Sequence, residues 1–253
     1  MSAARESEPA GASTATLVAG EEIPEQAWIV AQSHARFVGK DPRTTRETTF
    51  WGPGRFLPCV GHREESWVGA GRFESSLGAG EAPGAEEWVV TPVGILRYSA
   101  AKAAIDVHPG GASLQVDSGT AFLWVSDDAR EKATASTRDA AADDTSDLPW
   151  RRISAGTRID IAGDGDARMA VERCGERASH AELLARLLLS HDGGLASGRQ
   201  IAGQVRARRL ARASCAVAAL RVARMPLPDE RRPLAEALRA ADERWAGIPR
   251  PSP

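Results

Sequence analysis

Five histidines, three cysteines and several adjacent acids are the residues through which this 253-residue chain could do covalent or metal chemistry. A nucleophile system needs Ser or Cys, a His to take its proton and an acid to orient that His. No Gly-x-Ser-x-Gly elbow occurs, and the histidines follow no motif. His34 and His108 lie in strand-like runs, where a half-exposed structural imidazole accounts for each. His180 sits beside an expected helix start, and His191 at a helix end, where the dipole favours it. Cys59-Val60-Gly61-His62 has ligand-like spacing, but a structural zinc takes four ligands and no second pair is visible. Asp164-Gly165-Asp166 lacks the further acids and the bidentate Glu of a calcium loop, and reads as a tight turn. Gly78-Ala79-Gly80 does not open a helix, as a phosphate-cradling loop must. Glu64-Glu65 and Glu86-Glu87 are adjacent, and strand neighbours point to opposite faces, so neither pair is an acid–base couple. These residues describe a non-catalytic protein that uses no cofactor and no metal.

Three groups could act by contact instead. Between positions 196 and 224 stand seven arginines (Arg199, Arg206, Arg208, Arg209, Arg212, Arg221, Arg224) and no acid. Arg206, Arg208, Arg209 and Arg212 form a candidate interaction surface for phospholipid, nucleic acid or an acidic partner. The blander and preferred reading packs the apolar side of this helix (Ile201, Val205, Leu210, Ala213, Val217, Leu220) and leaves its arginines solvated or paired with acidic residues of the first half. No aromatics interleave the arginines, so base stacking is unsupported and nucleic acid is not expected. Trp51, Trp67, Trp88 and Trp124 could offer stacking faces to a small ligand or glycan, although core packing is the simpler use of such rings. Cys174 and Cys215 fall on helical stretches among alanines. Small neighbours permit close helix approach, which leaves open a disulfide in an oxidising compartment or two buried thiols.

The elements that must position these groups fall into two unlike halves. The composition, 42% hydrophobic and 26% charged, is that of an ordinary soluble chain of one or two domains; it excludes collagen, wholesale disorder and a disulfide-dense miniature. The net charge of −2 divides into −5 over residues 1–126, −3 over 127–171 and +6 over 172–253. Of the 32 basic residues 29 are arginine, and after Trp150 the sole aromatic is Trp245. No run approaches the roughly 18 apolar residues of a membrane-spanning helix. Residues 1–26 are small, polar and acidic, and read as a disordered leader without a secretory signal. Strand-like runs cover 27–38, 45–56, 66–73, 87–98, 103–108 and 112–125, broken by Gly, Pro and charged turns. Gly52-Pro53-Gly54-Arg55-Phe56 is echoed by Gly69-Ala70-Gly71-Arg72-Phe73, which suggests a repeated strand–turn unit. The expectation is a mainly β plus α chain. Its β domain over 27–126 is an all-β sandwich or short β-solenoid, followed by a disordered linker over 127–149. A β-hairpin over 150–171 then turns through Ala162–Asp166 into Arg168–Val171. A small helical unit occupies 172–250. There the Ser179–Glu182 spacing suggests a capping box, Leu183, Leu184, Leu187 and Leu188 form an apolar stripe, and a second helix spans 197–224. Leu234, Leu238, Ala241 and Trp245 mark a third helix that stops at Gly247 and Pro249.

Trp88-Val89-Val90-Thr91-Pro92-Val93-Gly94-Ile95-Leu96-Arg97-Tyr98 is followed by Leu114-Gln115-Val116-Asp117-Ser118-Gly119-Thr120-Ala121-Phe122-Leu123-Trp124-Val125. A Val-x-Thr-Pro-x-Gly strand, then a Gly-bearing strand closing a Trp- and Gly-rich β region, resembles the FecR domain over residues 27–126. The resemblance implies a non-catalytic all-β domain of the periplasm or cell envelope that acts in signal transduction by binding another envelope protein. FecR-type proteins relay outer-membrane receptor signals to a cytoplasmic sigma factor. This sequence departs from them in three respects: it shows no amino-terminal regulatory segment, no transmembrane helix, and Ser99-Ala100-Ala101-Lys102 where Gly-Thr-x-Phe is usual. It is closer to stand-alone FecR-domain proteins with a helical tail, and the expected role is that of an envelope sensor or scaffold. A small-ligand or glycan-binding β-module is the alternative.

Overall fold

A computed structural model describes residues 3–6, 15–17, 28–40, 47–58, 65–76, 86–126, 129–132, 150–163, 165–189 and 198–246. Contacts divide the chain into a β unit, which holds the described residues up to 132 and 151–163, and a helical unit, which holds Trp150 and the described residues from 165 onward. The change of hydrophobic period from two to 3.6 thus corresponds to a real change from strand to helix.

The strands are β1 (Ala3–Glu6), β2 (Ala15–Leu17), β3 (Trp28–Ala31), β4 (Arg36–Lys40), β5 (Glu47–Leu57), β6 (Glu65–Ser76), β7 (Glu87–Thr91), β8 (Gly94–His108), β9 (Gly111–Val125), β10 (Arg130–Lys132), β11 (Arg151–Ser154) and β12 (Thr157–Ala162). β8 and β9 are the spine. They pair antiparallel from Gly94↔Val125 to His108↔Gly111, with an irregularity between Ser99 and Ala103. There β8 changes partner, from β7 to β6. β9 is shared in the same way, its first half with β12 and its second with β11. Pairing among the described strands is antiparallel except between β6 and β7. A solenoid stacks its coils through parallel ladders, which are absent here outside β6–β7; the described strands instead form one continuous sheet of twelve.

Strands β5 to β9, β11 and β12 all send alternate side chains into one core. Phe50 lies between Phe56 and Phe73, with ring centroids 4.5 and 5.2 Å away. Each such ring contributes roughly 1.5–3 kcal/mol by leaving water. Glu87, with no exposed surface, accepts hydrogen bonds from Ser75 Oγ at 2.6 Å and Tyr98 OH at 2.7 Å. A buried carboxylate is tolerated only with such donors, and these tie β7 to β6 and β8.

The two glycine-rich echoes are not successive repeats. They lie on adjacent antiparallel strands and face one another, Trp51 opposite Arg72 and Arg55 opposite Ala70, with register shifts between. Gly71 has φ +90°, and a Cβ there would stand 2.7 Å from Pro53 O and 2.9 Å from Gly54 Cα. Both strands need glycine because their backbones touch at a bulge.

Three further expectations are corrected in the β unit. Ala3–Glu6 and Ala15–Leu17, read as part of a disordered leader, pair with each other, and β1 also pairs with β3. Arg130–Lys132, read as linker, pairs with β12. Ladder hydrogen bonds come from the backbone, so strands poor in apolar side chains can still join a sheet edge. The 150–171 hairpin is absent: β11 and β12 run in line along β9, interrupted at Ala155-Gly156, and Arg168–Val171 is helical. Residues 133–149 of the linker lie outside the described residues.

The helical unit contains α1 (Ala167–Leu189), α2 (Gly198–Arg224) and α3 (Pro228–Ala246). α1 starts twelve residues before the expected capping box because Asp166 already caps it, accepting the Arg168 amide at 2.8 Å on Oδ1. Ser179 is therefore mid-helix, with its hydroxyl bonded to Gly175 O at 2.9 Å. The leucine stripe packs only in part: Leu184 is half-buried against Ala181, Ala185, Ala207 and Ala211, whereas Leu183 and Leu187 are 55% and 53% exposed. The buried edge of α1 is Ala170, Cys174, Ala178, Ala181 and Ala185, and small residues at this spacing let α2 come close. Against it α2 sets Ala207, Ala211, Cys215 and Ala218. α3 packs through Leu234, Leu238 and Ala241, as its period predicts. Pro228 opens that helix, where its missing amide donor costs nothing.

Candidate interaction surface

On β7, β8 and β9 the alternation that sends Val89, Leu96 and Leu123 into the core sends Trp88, Arg97 and Phe122 to the opposite face. That face begins buried, at Val90, Ile95 and Trp124. Two residues along, the register aligns Glu65, Trp88, Arg97, Phe122 and Arg152 across five strands. Trp88 and Phe122 are half-buried, the Arg97 side chain is 17% exposed, and Arg152 is exposed. The Arg97 guanidinium stands 4.8 Å over the Phe122 ring and 3.6 Å from Glu86 Oε1. Trp88 Nε1 donates to Glu86 Oε2 at 3.4 Å, and Trp67 Nε1 to Glu65 Oε1 at 2.7 Å. Carboxylates thus hold rings and guanidinium in place, and the row presents flat π faces beside planar donors. Such a row can stack on a partner's side chains and donate to its carbonyl or carboxylate oxygens.

Two other arginines lie over tryptophans: Arg36 is 5.0 Å from the Trp51 ring and Arg55 is 4.4 Å from Trp28. The four tryptophans singled out in the sequence are thereby separated. Trp124 is core, Trp67 and Trp88 are half-buried and hydrogen-bonded, and Trp51 is 36% exposed beneath Arg36. Arg97, Phe122 and Arg152 went unnoticed in the sequence, because a row across strands becomes visible only with the register. The usable signal was the period-two spacing of Ile95 and Arg97 beside Trp88.

The arginines of α2 do not share one solvated face. Arg206 and Arg209 are exposed, Arg208 and Arg212 half-buried, and Arg221 is 3% exposed. Gly165, at φ +63°, leaves room for the Arg221 guanidinium, which sits where a Cβ would be. The cysteine pair is brought together: Cys174 and Cys215 are disulfide-bonded with Cα atoms 4.8 Å apart, joining α1 to α2. His34 occupies an exposed turn, the His108 Nδ1 accepts the Gly110 amide at 3.2 Å, and His180 is exposed in the middle of α1 rather than at a helix start. Glu86, just before β7, is exposed and Glu87 is buried, so the two do not form a couple. Cys59, His62, Glu64, Gly78-Ala79-Gly80, Asp164 and His191 lie outside the described residues. Among the described residues no group of three or more His, Cys, Asp or Glu is placed to hold a metal ion, and no helix is long and apolar enough to cross a membrane. A hydrogen bond from Ser113 Oγ at 2.5 Å, helped by nearby Arg158, holds the Asp160 carboxyl below its ordinary 3.8 against the opposing effect of burial.

No family model matches the sequence, and no curated protein matches it. Two crystal structures of a "putative anti-sigma factor" from Parabacteroides distasonis ATCC 8503 are similar to it, each at a TM-score of 0.39 and with 10% and 9% identity. The similarity covers 55% of this chain and 56% and 55% of those chains, so it spans little more than half the length of each.

Proposed function

We propose that this chain is a non-catalytic interaction module of the cell envelope, a FecR-like β domain with a helical unit. In this reading it acts as a sensor or scaffold in signal transduction by binding another protein through the outer face of its sheet. The observation that carries the reading is the row Trp88, Arg97, Phe122 and Arg152. Binding energy between proteins concentrates in Trp, Tyr and Arg groups that are already ordered and become fully desolvated in the complex. Here Glu86 orders Trp88 and Arg97 in the free protein, which reduces the entropy lost on binding. Periplasmic placement is supported by the Cys174–Cys215 bond, since disulfides persist in oxidising compartments, and by the FecR-like run from Trp88 to Tyr98.

The test is site-specific photocrosslinking in cells. A crosslinker at position 152 is expected to yield one discrete adduct that Arg97→Gln abolishes. The same group at Lys102, exposed near the middle of β8, is expected to yield none. Equal adducts from both positions, or adducts that survive Arg97→Gln, would refute the surface. Quenching of Trp fluorescence by free glycans would favour a glycan-binding module instead.

A further inference from the structure

Between the first halves of α1 and α3 runs an open groove of about 680 Å³. Its lining is largely apolar, from buried Val171, half-buried Leu234 and exposed Pro233, and Gly175 lies along it with open space where a Cβ would point. Its rim is acidic: Glu172 stands exposed on α1, and Asp229 and Glu230 stand exposed on the first turn of α3. Among the described residues none of these three makes an ion pair. Arg168 is the one cation of the lining, which leaves two negative charges in excess. The positive end of the α3 dipole accounts for Asp229 and Glu230. It accounts neither for Glu172, on the other helix, nor for the apolar lining between them.

The geometry points to this groove as the docking site of a basic amphipathic helix from a partner protein. Such a helix lays apolar side chains at i and i+4 onto Val171, Pro233 and Leu234, and sets Lys or Arg against the carboxylates on either side. A small apolar ligand needs a cleft that buries most of its surface, and this groove is only partly enclosed. An acidic or neutral helix would leave the three carboxylates uncompensated. The inference deepens the interaction-module reading but uses a different surface, so Arg97→Gln leaves it untouched.

The experiment is fluorescence anisotropy of the full chain with labelled 18-residue model helices of equal apolar content, one with Lys and one with Glu on its polar face. The lysine helix is expected to bind at least tenfold tighter at low ionic strength. Neutralising Glu172 and Glu230 (E172Q, E230Q) is expected to weaken it about fivefold per charge, an advantage lost near 0.5 M salt. Gly175→Leu is the decisive variant. It fills the open space, raises helix propensity and so leaves the melting temperature unchanged or higher, yet should weaken binding at least tenfold. Equal affinity for the two helices, or unchanged affinity in Gly175→Leu, would overturn the proposal. So would self-association of the protein that Gly175→Leu abolishes, which would make a second copy the occupant.

Discussion

Breaking the covalent link between α1 and α2 is the perturbation whose size follows most directly from the structure. Cys174 and Cys215 are 41 residues apart in sequence. In the chain-entropy account a closed loop of that length lowers the unfolded-state entropy by about 13 cal/mol/K, or about 4 kcal/mol of stability at 25 °C. The replacement Cys174→Ala/Cys215→Ala adds a smaller cavity cost to this, because both sulfurs are buried among alanines on a closely approached helix pair. Urea unfolding followed by helical ellipticity at 222 nm is the assay. With a slope of about 2 kcal/mol/M, the double variant should unfold about 2 M earlier than the oxidised parent. Reduction should move the parent most of the way to that midpoint, since the reduced thiols still fill the buried space. Thiol titration of the denatured, unreduced chain should count one free thiol, that of Cys59, rather than three. A midpoint unmoved by reduction together with three titratable thiols would refute the bond, and with it the argument for an oxidising compartment.

Three other outcomes follow from the packing and electrostatics. Gly71→Ala, at φ +90° with Pro53 O 2.7 Å from the new Cβ, should cost about 2 kcal/mol or more in thermal unfolding; Gly156→Ala, at φ +78° but with nothing within 4 Å, should cost about 1 kcal/mol. On α1, Leu187→Gln should leave stability within about 0.5 kcal/mol, whereas Ala178→Leu should lower it by about 1–3 kcal/mol through overpacking against α2. The folded-state pKa of Asp160 is depressed below 3.8, so its contribution is fully present above the unfolded-state value and is lost as pH falls through the folded one. Side-chain carboxyl chemical shifts should place that titration below pH 3.8, and Ser113→Ala should move it up; a titration unmoved by Ser113→Ala would contradict the assigned hydrogen bond.

Period and composition made much of this architecture legible. Strands lie within the expected runs between 27 and 125, but 27–38 and 87–98 each hold two strands joined by a turn and 103–108 is the end of β8; the helices ending near Arg224 and Ala246 stop where proline punctuation puts them. Local pattern failed where two readings share the same residues. Met169-Ala170-Val171 reads as strand, but Asp166 caps a helix there. The leucines of α1 read as its core face, yet Leu183 and Leu187 stand exposed and the helix packs chiefly through alanine and cysteine with Leu184 beside them, because burial goes to whichever side chains allow the closest approach to α2. The glycine echo read as a repeat, though it records two backbones touching across one bulge.

What the sequence by itself determined is the division of labour along the chain: an aromatic, period-two first half that must pair as sheet, and an alanine-rich, period-3.6 second half that must coil. Hydrophobic period is a local property, and each segment carries its own. Which side chains meet is not local. The row Trp88, Arg97, Phe122 and Arg152 draws on residues up to 64 positions apart and exists only because antiparallel register aligns four strands. The groove between α1 and α3 likewise brings Glu172 beside Asp229 and Glu230 across the whole length of α2. Contacts of that range are chosen by the packing of the folded chain, so tertiary structure alone decided them.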